Sequence, residues 1–106
     1  MGNMAYRVVV DPEAYLEIVD GIEWYNKAQA GLGYKFYKQI QAVFKIIRKN
    51  PFVYGIRYKS ARTAVVKKFP FLIHYFIEVD AKTIVVSSVL HTSRYPKHLD
   101  GLLNEP

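Results

Sequence analysis

Apolar and polar positions follow two different periods along this chain, and the change of period predicts where helices give way to strands. Residues 5–10 (AYRVVV) are rich in β-branched side chains, which predicts a short strand. From residue 11 to residue 50 the apolar residues recur every three or four positions, which predicts helices. After Pro51, short β-branched and aromatic segments predict only strands. The order of elements therefore predicts an α+β fold with both helices near the start.

The helical part divides at Gly31 and Gly33, which predict the end of one helix and a turn into the next. Asp11 is expected to cap the first helix, with Pro12 in its first turn. The second helix is expected over residues 33–50, where Pro51 stops it. Because the connection is short, the pair is expected to form an antiparallel hairpin. Its packing residues are predicted to be Tyr15, Ile18, Val19, Ile22 and Tyr25 in the first helix and Phe36, Tyr37, Ile40, Val43, Phe44 and Ile47 in the second, with Trp24 and Tyr25 packed between the hairpin and the sheet.

The strand region predicts an antiparallel meander of three or four strands. Residues 71–79 and 83–91 are the clearest strands, and the tight turn 80–82 joins them. Residues 55–59 and 63–69 predict two more. Short turns between consecutive strands favour antiparallel pairing, and the helix hairpin is expected to cover the apolar face of the sheet.

The length of 106 residues predicts one domain, which we place at residues 5–97. Residues 1–4 are interpreted as an expression remnant or an early start, and residues 98–106 as a short C-terminal tail. The chain contains no cysteine, so disulfides and thiolate metal sites are excluded. No apolar stretch approaches the roughly 18 residues of a membrane helix, and no signal peptide is recognisable, so we expect a cytoplasmic protein with no membrane partner.

Charge is strongly segregated along the chain. All nine acidic residues lie within residues 11–23 or from residue 78 onward, whereas residues 24–77 contain eleven Lys or Arg residues and no acid. Such a distribution produces a field of one sign that attracts polyanions or an acidic protein partner, and that weakens as salt rises.

Three segments together resemble the RelE/ParE superfamily over about residues 5–97. Residues 67–75 (KKFPFLIHY) resemble its R-F-P-Y-x-I-x-Y strand, and residues 84–96 resemble its ending, I-x-V-x-x-V-x-H-x-x-R-x-P. Residues 14–36 are similar to the helix hairpin of that family. The resemblance implies a strand, an antiparallel helix hairpin and a three- to four-stranded antiparallel meander.

The resemblance also implies a function. Members are mostly toxins of bacterial type II toxin–antitoxin modules, including plasmid stabilisation proteins. The implied partner is a cognate antitoxin with an acidic segment that folds on binding, and operator DNA is bound only through that complex. The ParE branch inhibits growth by poisoning DNA gyrase. The RelE branch comprises ribosome-dependent mRNA endoribonucleases, and a third alternative is a non-toxic member that only binds its partner.

Candidate site residues follow from these branches. The RelE branch commonly has a catalytic arginine near Leu72, where this chain has no cation, and this favours the ParE-like reading. If the chain is a ribonuclease, His91 is a candidate acid or base, Arg94 a phosphate ligand and Tyr95 a stacking group. Otherwise His91 and Arg94 organise the end of the last strand.

A second group consists of five cations that are expected either to bind RNA or antitoxin carboxylates or to form a solvated sheet edge: Arg57, Lys59, Arg62, Lys67 and Lys68. We expect no metal site, because the three histidines (His74, His91, His98) are scattered. No Gly-rich loop indicates a nucleotide, so no cofactor is expected.

Overall fold

The chain forms one five-stranded sheet with two helices, in a computed structural model that describes residues 5–94. Residues 1–4 and the predicted tail lie outside the described residues. The elements in chain order are β1 (Arg7–Val10), α1 (Pro12–Ala28), α2 (Leu32–Lys49), β2 (Ile56–Tyr58), β3 (Ala61–Val65), β4 (Phe71–Glu78) and β5 (Thr83–His91). The predicted α+β class is confirmed.

The strands lie in the order β1-β5-β4-β3-β2. The last four strands form the predicted antiparallel meander. β1 instead pairs in parallel with β5, from Arg7 beside Thr83 to Val10 beside Val86. The alternation of apolar residues does not predict this pairing, because two parallel neighbours lie far apart in sequence and are joined by a long crossover.

Both helices pack on one face of the sheet, and their buried residues form a single core with β3, β4 and β5. The core members are Ala14, Ile18, Phe36, Ile40, Val43, Ile47, Ala64, Val66, Ile73, Tyr75, Ile84, Val86 and Val89. Their side chains are removed from water, which is the main favourable contribution to folding.

The helix hairpin is held by an unusually close contact at Gly33. Its N–H donates to Asn26 Oδ1 over 2.8 Å, and a Cβ on this residue would lie 2.3 Å from the carbonyl oxygen of Ile22. Just before it, Gly31 has a φ of 86° and permits the left-handed turn between α1 and α2. The two glycines therefore have different roles, one in packing and one in backbone conformation.

Several details of α1 differ from the sequence prediction. Asp11 makes no side-chain cap, and its main chain instead bonds Val86 and Tyr15. The predicted packing residue Tyr15 is 61% exposed, whereas Ala14 is fully buried. Trp24, predicted to pack, is 71% exposed.

The strand β3 also differs, since it covers Ala61–Val65 rather than residues 63–69. Phe69 then lies in the β3–β4 connection, where its ring packs 4.9 Å from that of Tyr25. The apolar side chain of Phe69 is thus partly buried against the core without being part of the strand.

Candidate functional site

The polar stretch after β5 is a hydrogen-bonded turn at the end of the sheet. Thr92 N–H donates to the carbonyl of Pro70 over 2.8 Å, which ties the turn to the β3–β4 connection. Arg94 N–H donates to the carbonyl of His91 over 2.9 Å, which closes the turn on itself. The positions of His91 and Arg94 are therefore fixed by the backbone, although both side chains are exposed.

The imidazole of His91 is engaged within this turn. Its Nδ1 accepts the N–H of Ser93 over 3.2 Å and lies 2.9 Å from the Ser93 hydroxyl. The ring stands edge-on to Phe71, with centroids 5.8 Å apart. Because Nδ1 is an acceptor, neutral His91 carries its proton on Nε2.

Arg94 and Ser93 line two separate cavities. The larger, about 440 Å³, lies between α1 and the end of β5, and also contains His91 and the exposed Trp24. Glu17 and Asp20 line the α1 side of this cavity, so it carries charges of both signs.

The smaller cavity, about 170 Å³, is lined by Arg57, Tyr58, Leu72, His74, Thr92, Ser93 and Arg94. We call it the Arg94 pocket. It brings together two guanidinium-bearing residues, Arg57 and Arg94, that are 37 positions apart in the sequence. Leu72, the position near which the RelE branch commonly has its catalytic arginine, lines the same pocket. Arg57 from β2 and Arg94 from the turn after β5 therefore bring positive charge to the pocket that Leu72 itself does not supply.

His74 and Tyr58 add a hydrogen-bonded pair to the Arg94 pocket. The phenol oxygen of Tyr58 lies 2.9 Å from Nδ1 of His74, which is only 2% exposed. Burial raises the pKa of the Tyr58 phenol, and the positive charge of Arg57 partly opposes that shift. Guanidinium groups bind phosphate oxygens through several parallel N–H donors. The Arg94 pocket is therefore chemically suited to an oxyanion.

The five predicted binding cations lie in different parts of the fold. Arg57 lines the Arg94 pocket, and Lys59 lies in the β2–β3 turn with a φ of 49°. Lys67 and Lys68 lie in the β3–β4 connection, where Lys68 borders a different groove together with Lys35. The predicted set is therefore divided among two strands, the turn between them and the β3–β4 connection.

Arg62 makes contacts within the chain. It donates over 2.7 Å to the carbonyl of Tyr54, and its guanidinium lies 5.1 Å from the centre of the Phe52 ring. These contacts hold the segment between α2 and β2 against the sheet. The guanidinium of the partly buried Arg62 is thus already engaged in contacts within the chain.

One feature of the site was not predicted by the sequence pattern. The contact between Tyr58 and His74 joins residues 16 positions apart and depends on the register of three strands. Alternate residues of a strand share a face, so the sequence of β4 indicates only that His74 lies on the same face as Leu72. The third predicted catalytic residue, Tyr95, lies outside the described residues, so only His91 and Arg94 can be placed.

Comparison with solved structures identifies a match to a chain titled "Chromosomal ParDE TA system from P. aeruginosa". The two have a TM-score of 0.61 and 13% sequence identity, and the alignment covers 84% of this chain and 98% of that chain. No family model and no curated protein match the sequence. The chain therefore has the fold predicted from its resemblance to the RelE/ParE superfamily.

No helix in residues 5–94 has the length and apolar character needed to cross a membrane. Within the same residues, no three His, Cys, Asp or Glu side chains are grouped in a way that could hold a metal ion.

Proposed function

We propose that this chain is the toxin component of a bacterial type II toxin–antitoxin module. The observation that carries the proposal is the shared fold with a chain of a ParDE toxin–antitoxin system, over most of both chains. The segregated positive charge supports it independently, because a basic surface suits an acidic antitoxin segment that folds on binding. The cognate antitoxin is thus the first partner, and operator DNA is bound through the complex.

DNA gyrase is the leading candidate target. The proposal follows from the ParE-like pattern of the sequence and from the ParDE fold match, and growth inhibition then requires binding without a catalytic step. The experiment is repressible expression of the full chain in a bacterial host, followed by a supercoiling assay with purified gyrase. We expect growth arrest, inhibited supercoiling and gyrase-bound cleaved DNA, whereas normal growth at high expression contradicts the toxin proposal.

A second candidate function is ribosome-dependent cleavage of mRNA, and the Arg94 pocket is the observation that favours it. Attack of a 2′-hydroxyl on the neighbouring phosphate needs proton transfer and cations that stabilise the developing negative charge. Arg57 and Arg94 are available as the cations, and the Tyr58–His74 pair is available for proton transfer. His91 and Arg94 also both line the larger cavity.

Two assays of one protein preparation distinguish the two candidate functions. The purified chain is added to a reconstituted translation system, and cut sites are mapped by primer extension beside the gyrase assay. Cuts at A-site codons that disappear in Arg94→Ala, and persist in the exposed control Lys49→Ala, identify a ribonuclease and overturn the gyrase proposal. Intact mRNA with inhibited gyrase supports the ParE-like function. Inactivity in both assays, with antitoxin binding retained, identifies the non-toxic alternative.

A further inference from the structure

The helix hairpin has one side on the sheet and an opposite side that is exposed. In α1 the buried residues Ala14, Ile18 and Gly21 mark the side toward the sheet. Residues three or four positions apart are neighbours on a helix surface. On this spacing, the exposed residues opposite the buried side are Glu13, Leu16, Asp20 and Glu23. We call them the α1 stripe, which is acidic apart from its leucine.

The exposed side of α2 repeats this spacing with the opposite charge. Its buried side is formed by Phe36, Ile40, Val43 and Ile47. The exposed residues opposite that side are Lys35, Lys38, Ala42 and Lys45. We call them the α2 stripe. It is basic apart from its alanine, and α2 contains no acidic residue.

Two contacts fix which residues of the antiparallel helices lie at the same level. A Cβ on Gly21 would lie 2.7 Å from the ring of Phe36, and Gly33 N–H donates to Asn26 Oδ1 over 2.8 Å. Residues counted from these contacts in opposite directions along the two helices remain level, because both helices rise by about 1.5 Å per residue. Each acid of the α1 stripe is then level with a lysine, and the leucine with the alanine: Glu23 with Lys35, Asp20 with Lys38, Leu16 with Ala42 and Glu13 with Lys45.

This arrangement makes the exposed side of the hairpin complementary to itself. A two-fold axis parallel to the helices places α1 of one copy on α2 of a second copy without changing the level of any residue. Each of the four pairs then forms twice across the contact. A two-fold axis in the same plane but across the helices would instead bring stripes of like charge together, so the charges favour a single orientation.

The size of the surface is sufficient for a weak dimer. Two helices side by side are about 20 Å wide, and the 18 residues of α2 extend about 27 Å. The contact therefore covers about 500 Å² on each copy, which in total lies near the lower limit of specific interfaces. Leu16 is 60% exposed and meets the small side chain of Ala42 at the middle of each stripe, which adds an apolar contact between the charges.

We infer that the exposed side of the helix hairpin is an interface for a second copy of this chain, with the α1 stripe of each copy on the α2 stripe of the other. We call it the hairpin interface. The inference is independent of the proposed function, because it uses only the charges and levels of the two helices.

The first test is sedimentation equilibrium of the purified full chain across the micromolar range. We expect reversible dimers whose affinity falls as salt rises, because the paired charges are exposed and therefore screened. Asp20→Lys with Glu23→Lys makes both stripes basic, and Lys35→Glu with Lys38→Glu makes both acidic. Each double variant is expected to weaken self-association at least about tenfold, because like charges then meet across the two-fold axis.

The decisive test mixes these two double variants in equal amounts. The basic stripes of one variant then face the acidic stripes of the other, so we expect a heterodimer although neither variant dimerises alone. Both variants keep a positive net charge, since the wild type carries +6 and each double reversal changes it by four. Attraction between the net charges therefore does not produce the heterodimer. All four substituted residues are exposed, and circular dichroism verifies that both variants fold.

The matched control is Lys67→Glu with Lys68→Glu, which has the same net charge as the α2 variant but alters the exposed β3–β4 connection. It is expected to dimerise like the wild type and to form no heterodimer with the α1 variant. Three results overturn the inference: a wild type that stays monomeric across the range, self-association that persists in either double variant, or a mixture of the two that stays monomeric.

Discussion

Tyr75→Phe removes one hydroxyl from the centre of the sheet and tests how the segment after α2 is held. Tyr75 is fully buried, and its hydroxyl donates to the carbonyl of Pro51 over 2.7 Å. The substitution keeps the ring and leaves that buried carbonyl without this donor. Leaving a buried acceptor unsatisfied costs about 1–2 kcal/mol of unfolding free energy at neutral pH.

The same residue gives the effect a pH dependence of known sign. Burial raises the pKa of Tyr75 from 10.0 to about 12. The unfolded chain therefore loses this proton first as the pH rises, so the contribution of Tyr75 is complete below pH 10 and declines above it. The decline is about 1.4 kcal/mol per pH unit between these two pKa values, or roughly 2 kcal/mol by pH 12. Phenylalanine has no such proton, so the variant lacks this decline.

Urea unfolding of both proteins from pH 7 to pH 12 measures the difference, and groups common to both cancel. We expect the wild type to be more stable by about 1–2 kcal/mol at pH 7, with the difference vanishing near pH 11 and reversing by about pH 12. Tyr34→Phe, which removes an exposed hydroxyl from α2, is the control and is expected to change stability little at pH 7. A Tyr75→Phe difference that stays constant between pH 9 and pH 12 refutes the reasoning.

Two further substitutions test the hairpin and the segment before β2. Gly33→Ala places a methyl group 2.3 Å from the Ile22 carbonyl, so we expect it to lower the melting temperature more than Gly31→Ala, whose cost of about 1 kcal/mol comes from the backbone alone. Equal melting temperatures would show that close approach at Gly33 is not limiting. Arg62→Lys weakens the hydrogen bond to the Tyr54 carbonyl, because lysine lacks the planar guanidinium group. We therefore expect faster amide hydrogen exchange across residues 50–55. Unchanged exchange there would exclude this role for Arg62.

The sequence predicts the buried face of a helix best where large apolar residues and charged residues lie on clearly separate faces. In α2 four of the six predicted packing residues are buried, because its apolar stripe and charged face are distinct: Phe36, Ile40, Val43 and Ile47. Phe44 is partly buried, and Tyr37 is 38% exposed. In α1 the helix was predicted but its buried face was partly wrong. Small residues, Ala14 and Gly21, form much of that face, and they carry little signal in a count of large apolar side chains.

Only the part of the candidate site formed by residues close together in sequence was predictable. His91 and Arg94 lie in one turn, and their proximity follows directly from their spacing. Arg57 joins Arg94, and Tyr58 joins His74, only after β2, β3 and β4 adopt their registers. The irregular pairing between Ile56 and Tyr58 is one such detail that alternation cannot predict.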